Sequence, residues 1–385
     1  MQRNCFPGSL RFAGYLLFSI ILIVRTPEKA KAGDSLYLVN NLRLGVDLNY
    51  GTILPHHSSI RYSLESNITG AEILVTTDSY GRNNWDAAYR FPRWGAGYKY
   101  TTLGNGEVFG KAYASFLFMD IPFSAKQKRL RISYQFGLGL SWLTKEYSVE
   151  SNPLNMAVSS GLNVYASLKF NMALRLHEYD ELAAGFGFNH FSNGKMATPN
   201  LGLNTFNFYA GYRYTILPPR YQRSERSVPD WKRRHLAELI VSAGTKTDDQ
   251  VTGIYYLISS IVADYKYNFA RKYSLVAGLD IFYDQALGPN KVADEGGSYT
   301  TEDLFQAGLH GGLSIQYSRL NLIFQAGSYI HASYYKYVRV YSRLGVRYEV
   351  IPGLLLSCSL KSHLAIADYV EWGIGYRFNI KGGRE

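Results

Sequence analysis

Residues 186–204 read F-G-F-N-H-F-S-N-G-K-M-A-T-P-N-L-G-L-N, and the side chains there with chemistry to offer are His190, Ser192, Asn200 and Asn204. On an extended strand side chains alternate between faces, so His190 and Ser192 share the face of Phe186 and Phe188 while Asn189 and Phe191 point the other way. Strand residues two apart are about 7 Å apart at Cα, close enough for an imidazole to lean onto a serine hydroxyl and accept its proton. Downstream, Asn204, Phe206, Phe208, Ala210, Tyr212 and Tyr214 form one apolar face, with Thr205, Asn207, Tyr209, Gly211 and Arg213 on the other. Paired as a hairpin, the two strands bring Asn204 to the outer face beside His190. Two readings stay open on residue types alone. Polar groups set among apolar ones mark function, or they mark a strand end at a polar interface, where they cost little.

The elements that must hold these residues are strands of an exported protein. Arg3 and Arg11, an apolar run over residues 12–24 and Ala30-Lys31-Ala32 have the order of a secretory signal peptide, residues 1–32. The mature chain then keeps only Cys358, so no intramolecular disulfide braces it. No later stretch offers about 18 consecutive apolar residues, so a spanning helix is not expected. With 33 Tyr, 36 Gly and 15% aromatic residues, the composition suits a transmembrane β-barrel, apolar outside, polar inside and girdled by aromatics. A secreted soluble sandwich would seldom need Tyr and Phe on the outward face of nearly every strand. The net charge of +11 then speaks for anionic headgroups or lipopolysaccharide phosphates, or simply a solvated surface, and export argues against nucleic acid.

Alternating segments of about ten residues recur between turn-like clusters. They predict strands over residues 42–50, 71–80, 93–101, 111–121, 129–141, 159–175, 181–192 and 204–216, then 236–246, 254–269, 273–284, 302–316, 320–330, 337–350, 354–363 and 368–378. The proline- and arginine-rich residues 217–235 interrupt the series as an aqueous turn or linker. The expected fold is an all-β, transmembrane antiparallel barrel of about sixteen strands, and the alternative is two tandem eight-stranded barrels. Residues 208–216, F-Y-A-G-Y-R-Y-T-I, echo residues 372–380, W-G-I-G-Y-R-F-N-I, which hints at an internal duplication. The single barrel is favoured here, because tandem barrels on one chain would be unusual. Residues 33–216 form the half that carries the polar cluster and 236–385 the second half. If the first strand rises from the periplasm, the cluster lies on the outer wall near the extracellular rim.

H-F-S-N-G at 190–194, followed by P-N-x-G-x-N at 199–204, resembles the signature of the outer-membrane lipid A 3-O-deacylase (PagL-type) family, acyl-ester hydrolases, over roughly residues 40–216. The resemblance implies a serine esterase of the bacterial outer membrane acting on lipid A, without cofactor or metal. It implies Ser192 as nucleophile, His190 as general base, Asn200 at the oxyanion-stabilising position and Asn193 beside it in oxyanion or substrate binding. The third catalytic position in the family is Glu, and here it is Asn204. A carboxamide can accept the His190 Nδ1 hydrogen, but it cannot neutralise an imidazolium. Asp180 and Glu181 lie about 30 Å down the strand and cannot replace it.

A second function class is a non-enzymatic pore or structural barrel, for which Arg339, Arg343, Arg347 and Glu349 share one strand face as a lumen lining or ionic interior. Lys195 either meets glucosamine phosphates or is a solvated loop lysine. His363 falls on an inward face with Lys361 and reads as structural. His56 and His57, beside Pro55 in an expected loop, lack the spaced partners of a zinc site. No phosphate loop, dinucleotide fingerprint or calcium loop is present.

Overall fold

The computed structural model describes residues 40–81, 84–124, 126, 128–219, 231–247, 254–364 and 366–381. The expected signal peptide, residues 1–32, and residues 220–230 of the expected linker lie outside these.

The strands form in the expected places, and they close as two barrels of eight. The first consists of β1 (Leu42–Ile53), β2 (Ile68–Asp78), β3 (Arg93–Thr102), β4 (Lys111–Pro122), β5 (Leu130–Leu143), β6 (Leu162–Arg175), β7 (Asp180–Ser192) and β8 (Leu203–Leu217). The second consists of β9 (Arg234–Thr247), β10 (Tyr255–Asn268), β11 (Tyr273–Asp284), β12 (Phe305–Tyr317), β13 (Leu320–Ala332), β14 (Val340–Ile351), β15 (Leu354–His363) and β16 (Ile366–Lys381). Every pairing is antiparallel between chain neighbours, with β8 returning to β1 and β16 to β9. Of the two arrangements the sequence allows, the tandem one is therefore found. Its cause is visible at β8, whose second edge is satisfied by β1, so no open edge is left for β9 to extend.

The repeated segments 208–216 and 372–380 are the closing strands of the two barrels, and their shared arginine does the same work in each. Arg213 Nη2 donates to Asp47 Oδ2 of β1 at 2.9 Å, and Arg377 Nε donates to Glu238 Oε1 of β9 at 2.8 Å. Each closing strand is thus tied to its first strand by an ion pair inside the barrel.

Outward positions alternate along the strands and are apolar: Leu44, Val46, Leu48 and Tyr50 on β1, Phe186 and Phe188 on β7, Leu239 and Val241 on β9. Leu48 is 68% exposed and Phe208 60%, an arrangement stable only where lipid covers them. Inward positions are polar and packed. In the first barrel Glu72 accepts hydrogen bonds from Lys99 Nζ at 2.6 Å and from Lys169, and Arg93 forks onto both carboxylate oxygens of Glu181. Arg43 and Arg93 share Asp78. Toward the end of the barrel opposite Leu42 and Leu217 this ionic interior gives way to an apolar cap. Leu103, Phe109, Tyr165, Phe191 and Leu203 pack there with Ile60, which arrives on a short helix α1 (Ser58–Tyr62).

The second barrel is ionic through most of its length. Arg343 bridges Asp280 at 2.8 Å and Glu371 at 2.9 Å, Arg347 bridges Glu238 at 2.7 Å and also Asp264, and His310 sits between Asp280 and Asp264. Of the arginine row expected on one face, Arg343 and Arg347 take these buried places. Arg339 does not: β14 begins after it, and its guanidinium lies exposed, 5.2 Å from the Tyr335 ring.

Candidate active site

The site is built on the β7–β8 hairpin at the capped end of the first barrel. His190 stands directly opposite Asn204 in the ladder, where facing Cβ atoms are about 5 Å apart. That spacing lets His190 Nδ1 and Asn204 Oδ1 meet at 2.6 Å. Both residues hold outward positions in the alternation, half-buried beside exposed Phe188 and partly covered Phe206. Ser192 ends β7 on the same face, opposite Val164 of β6, and is 8% exposed.

The wall behind them is fixed by a hydrogen-bond chain on its inner side. Tyr165 donates to Asn189 Oδ1 at 2.7 Å, the Asn189 amide donates to Thr205 Oγ1 and Asn207 Oδ1, and the Asn207 amide donates to Asn49 Oδ1 at 2.7 Å. Four strands are thereby stitched together one residue away from His190. A buried polar network with its partners satisfied is rigid, so the strand carrying His190 is held firmly from behind.

Asn193, Leu201 and Gly202, which flank the tip of the hairpin, are tied to the β5–β6 connection. Leu201 N donates to Met156 O at 3.2 Å and Gly202 N to Ala157 O at 2.8 Å, and the Asn193 amide donates to Ser160 Oγ at 3.1 Å. Asn193 is buried; Asn200 is half-buried and lies four residues ahead of Asn204. Gly202 has φ +77°, and a Cβ there would lie 2.9 Å from His190 Cε1, so both backbone and space call for glycine.

His56, expected in a loop, joins the site. Leu54 N donates to Asn204 O at 2.8 Å, which prolongs the β1–β8 pairing by one step. His56, two residues on, then reaches Asn204: its Nδ1 is 3.2 Å from Asn204 Nδ2, and its Nε2 is 2.8 Å from Leu201 O. The signal for it is the closure of β8 on β1. In a single sixteen-stranded barrel β1 would pair with the last strand, and His56 would lie far from the hairpin. His57 instead caps α1, where its side chain accepts from Ser59 N at 3.3 Å. His363 points inward as expected, with Nε2 2.9 Å from the Tyr329 hydroxyl. Among the described residues no group of three or more His, Cys, Asp or Glu is arranged to hold a metal ion.

The comparisons with known proteins address both barrels. Residues 69–213 match the family described as lipid A 3-O-deacylase (PagL), and residues 235–380 match the one described as acyloxyacyl hydrolase, C-terminal domain. Each barrel thus carries its own family match, the first to the lipid A 3-O-deacylase (PagL) family and the second to the acyloxyacyl hydrolase C-terminal domain. Solved structures similar to it include Neisserial surface protein A (NspA), 12% identical, with 46% of this chain and 97% of that one covered and a TM-score of 0.32. The outer-membrane enzyme PagL is 13% identical, with 45% and 99% covered and a TM-score of 0.29. A search of curated proteins finds no match. With hydrolase family matches in both barrels and apolar exteriors around each, it is a hydrolase of the bacterial outer membrane.

Proposed function

We propose that the chain is a serine ester hydrolase that removes an acyl chain from lipid A, with its chemistry on the outer wall of the first barrel. Ser192 Oγ attacks the ester carbonyl while His190 Nε2 takes its proton. The tetrahedral intermediate collapses when His190 returns that proton to the sugar oxygen, and the acyl group stays on Ser192. Water, activated by the same imidazole, then frees the fatty acid. Asn204 holds His190 through Nδ1, Asn200 supplies an amide to the developing oxyanion, and Asn193, tied to Ser160, keeps the connection in place. The lipid-facing side chains Leu168, Phe188 and Phe208 form the surface along which the acyl chain lies.

The observation that carries this reading is the 2.6 Å contact of His190 Nδ1 with Asn204 Oδ1 on the lipid-facing side of the wall. A polar pair there is disfavoured unless it serves a purpose. In the proposed division of labour residues 33–216 do the chemistry, residues 217–235 link the halves, and residues 236–385 form a second, ion-packed barrel. A pore is the weaker reading, because paired arginines, lysines and carboxylates fill the second interior and an apolar cap closes the first.

The test is the mass of lipid A from cells that express the chain or its Ser192→Ala variant. Loss of one acyl mass with the parent, and intact lipid A with the variant, is the expected result. Identical lipid A from both strains refutes the esterase.

A further inference from the structure

The proposed site has a neutral carboxamide where the family has a carboxylate, and that raises a question of orientation. A carboxylate accepts hydrogen bonds from either oxygen. A carboxamide turned the wrong way presents Nδ2–H to His190 and drives it into the wrong tautomer. Something must keep Asn204 Oδ1 facing His190.

The contacts of His56 supply that constraint. Leu201 O is a backbone carbonyl and can only accept, so His56 Nε2, 2.8 Å away, carries the hydrogen. In the neutral ring Nδ1 is then a lone pair. Asn204 Nδ2, 3.2 Å from it, donates into that lone pair. With its amino group held by His56, Asn204 turns Oδ1 to His190 Nδ1, which must carry a hydrogen to bond at 2.6 Å. His190 Nε2 is left with the lone pair. In the opposite amide orientation two acceptors would face each other at His56 and two donors at His190.

We propose that His56 is a positioning residue for this site: with Leu201 O it fixes the Asn204 amide and so sets the His190 tautomer that leaves Nε2 free to act as base. The proposal rests on the esterase reading for its kinetic consequence but not for its structural one. The hydrogen-bonded series Leu201 O, His56, Asn204, His190 runs in one direction, so each hydrogen bond polarises the next while the series carries no net charge. Gly202, which follows Leu201, lies against the Cε1 edge of His190, so one short segment both starts the series and borders its far end.

Two measurements on the full-length protein in detergent or lipid test this. First, ester turnover is followed for His56→Ala, His56→Asn and Asn204→Glu, and for the double variant His56→Ala/Asn204→Glu. Losing His56 should lower kcat about tenfold, the weight of one hydrogen bond, with KM little changed. His56→Asn, whose Oδ1 sits near the lost Nδ1 and can accept from Asn204, should recover most of that loss. In the Asn204→Glu background His56→Ala should have little further effect, since a carboxylate needs no orienting. Equal losses in both backgrounds, or His56→Asn no better than His56→Ala, would mean that His56 only supports the loop, and the proposal falls. Second, 15N shifts of the His190 ring should show a protonated Nδ1 and an unprotonated Nε2 in the parent protein and a mixture of tautomers in His56→Ala. An Nε2-protonated His190 in the parent protein overturns the proposal even if no ester is ever found to be cleaved, and an inactive parent protein with the expected tautomer removes the esterase reading alone.

Discussion

The last hairpins of the two barrels, β7–β8 and β15–β16, are built alike and end in different chemistry. Each carries a histidine and a serine near its tip. In the first the order is His190-Phe191-Ser192, so both polar residues fall on the outward face, where His190 meets Asn204. In the second the order is Ser362-His363. Ser362 faces outward and pairs with the Ser342 hydroxyl at 2.8 Å, while His363 faces inward among Tyr329 and Tyr337. One residue of spacing decides which side of the wall an imidazole occupies, because the strand period is two. The first hairpin therefore places its imidazole on the lipid-facing side of the wall. In the second the histidine is part of the packing.

The largest effect that could break this comparison is on activity. Replacing His190 by Ala should reduce ester turnover about 10³-fold or more, whereas His363→Ala should leave it within about twofold. Turnover on lipid A in detergent micelles measures both, and similar losses for the two would erase the distinction between the hairpins.

A smaller effect concerns the charges of the second interior. Arg343 neutralises Asp280 and Glu371 where all three are buried, so Arg343→Met should cost about 3 kcal/mol of stability by leaving carboxylates uncompensated. Urea unfolding in lipid vesicles reads this, and turnover per folded molecule should not change. A coupled loss of activity would show that the second barrel's interior reaches the site.

The smallest effect sharpens the role of the departure from the family pattern. Asn204→Glu restores a carboxylate opposite His190 and should raise kcat about tenfold, since a charge-assisted hydrogen bond is about twice as strong as a neutral one. A fall in kcat would mean that the site depends on the carboxamide itself.

Much of this was legible in the sequence, for reasons that can be stated. Strand alternation depends on nearest neighbours, so the outward face of His190, Ser192 and Asn204 could be read directly from the pattern, and so could the inward face of His363. Closure is a long-range property. Nothing local in β8 says whether its free edge meets β1 or another strand, and the Arg213–Asp47 pair that accompanies closure joins residues far apart in the sequence. His56 was missed for the same reason, because it reaches Asn204 only when β8 closes on β1. Arg339 was misplaced because β14 starts three residues later than its alternation suggests.

The most direct test of the central claim is covalent. A fluorophosphonate probe offered to outer-membrane vesicles containing the full chain, followed by peptide mapping, reports whether a hydroxyl on that wall is nucleophilic. Labelling confined to Ser192 and abolished by His190→Ala is the predicted result. An unlabelled Ser192 in folded, lipid-embedded protein, or labelling that survives the loss of His190, would contradict the account.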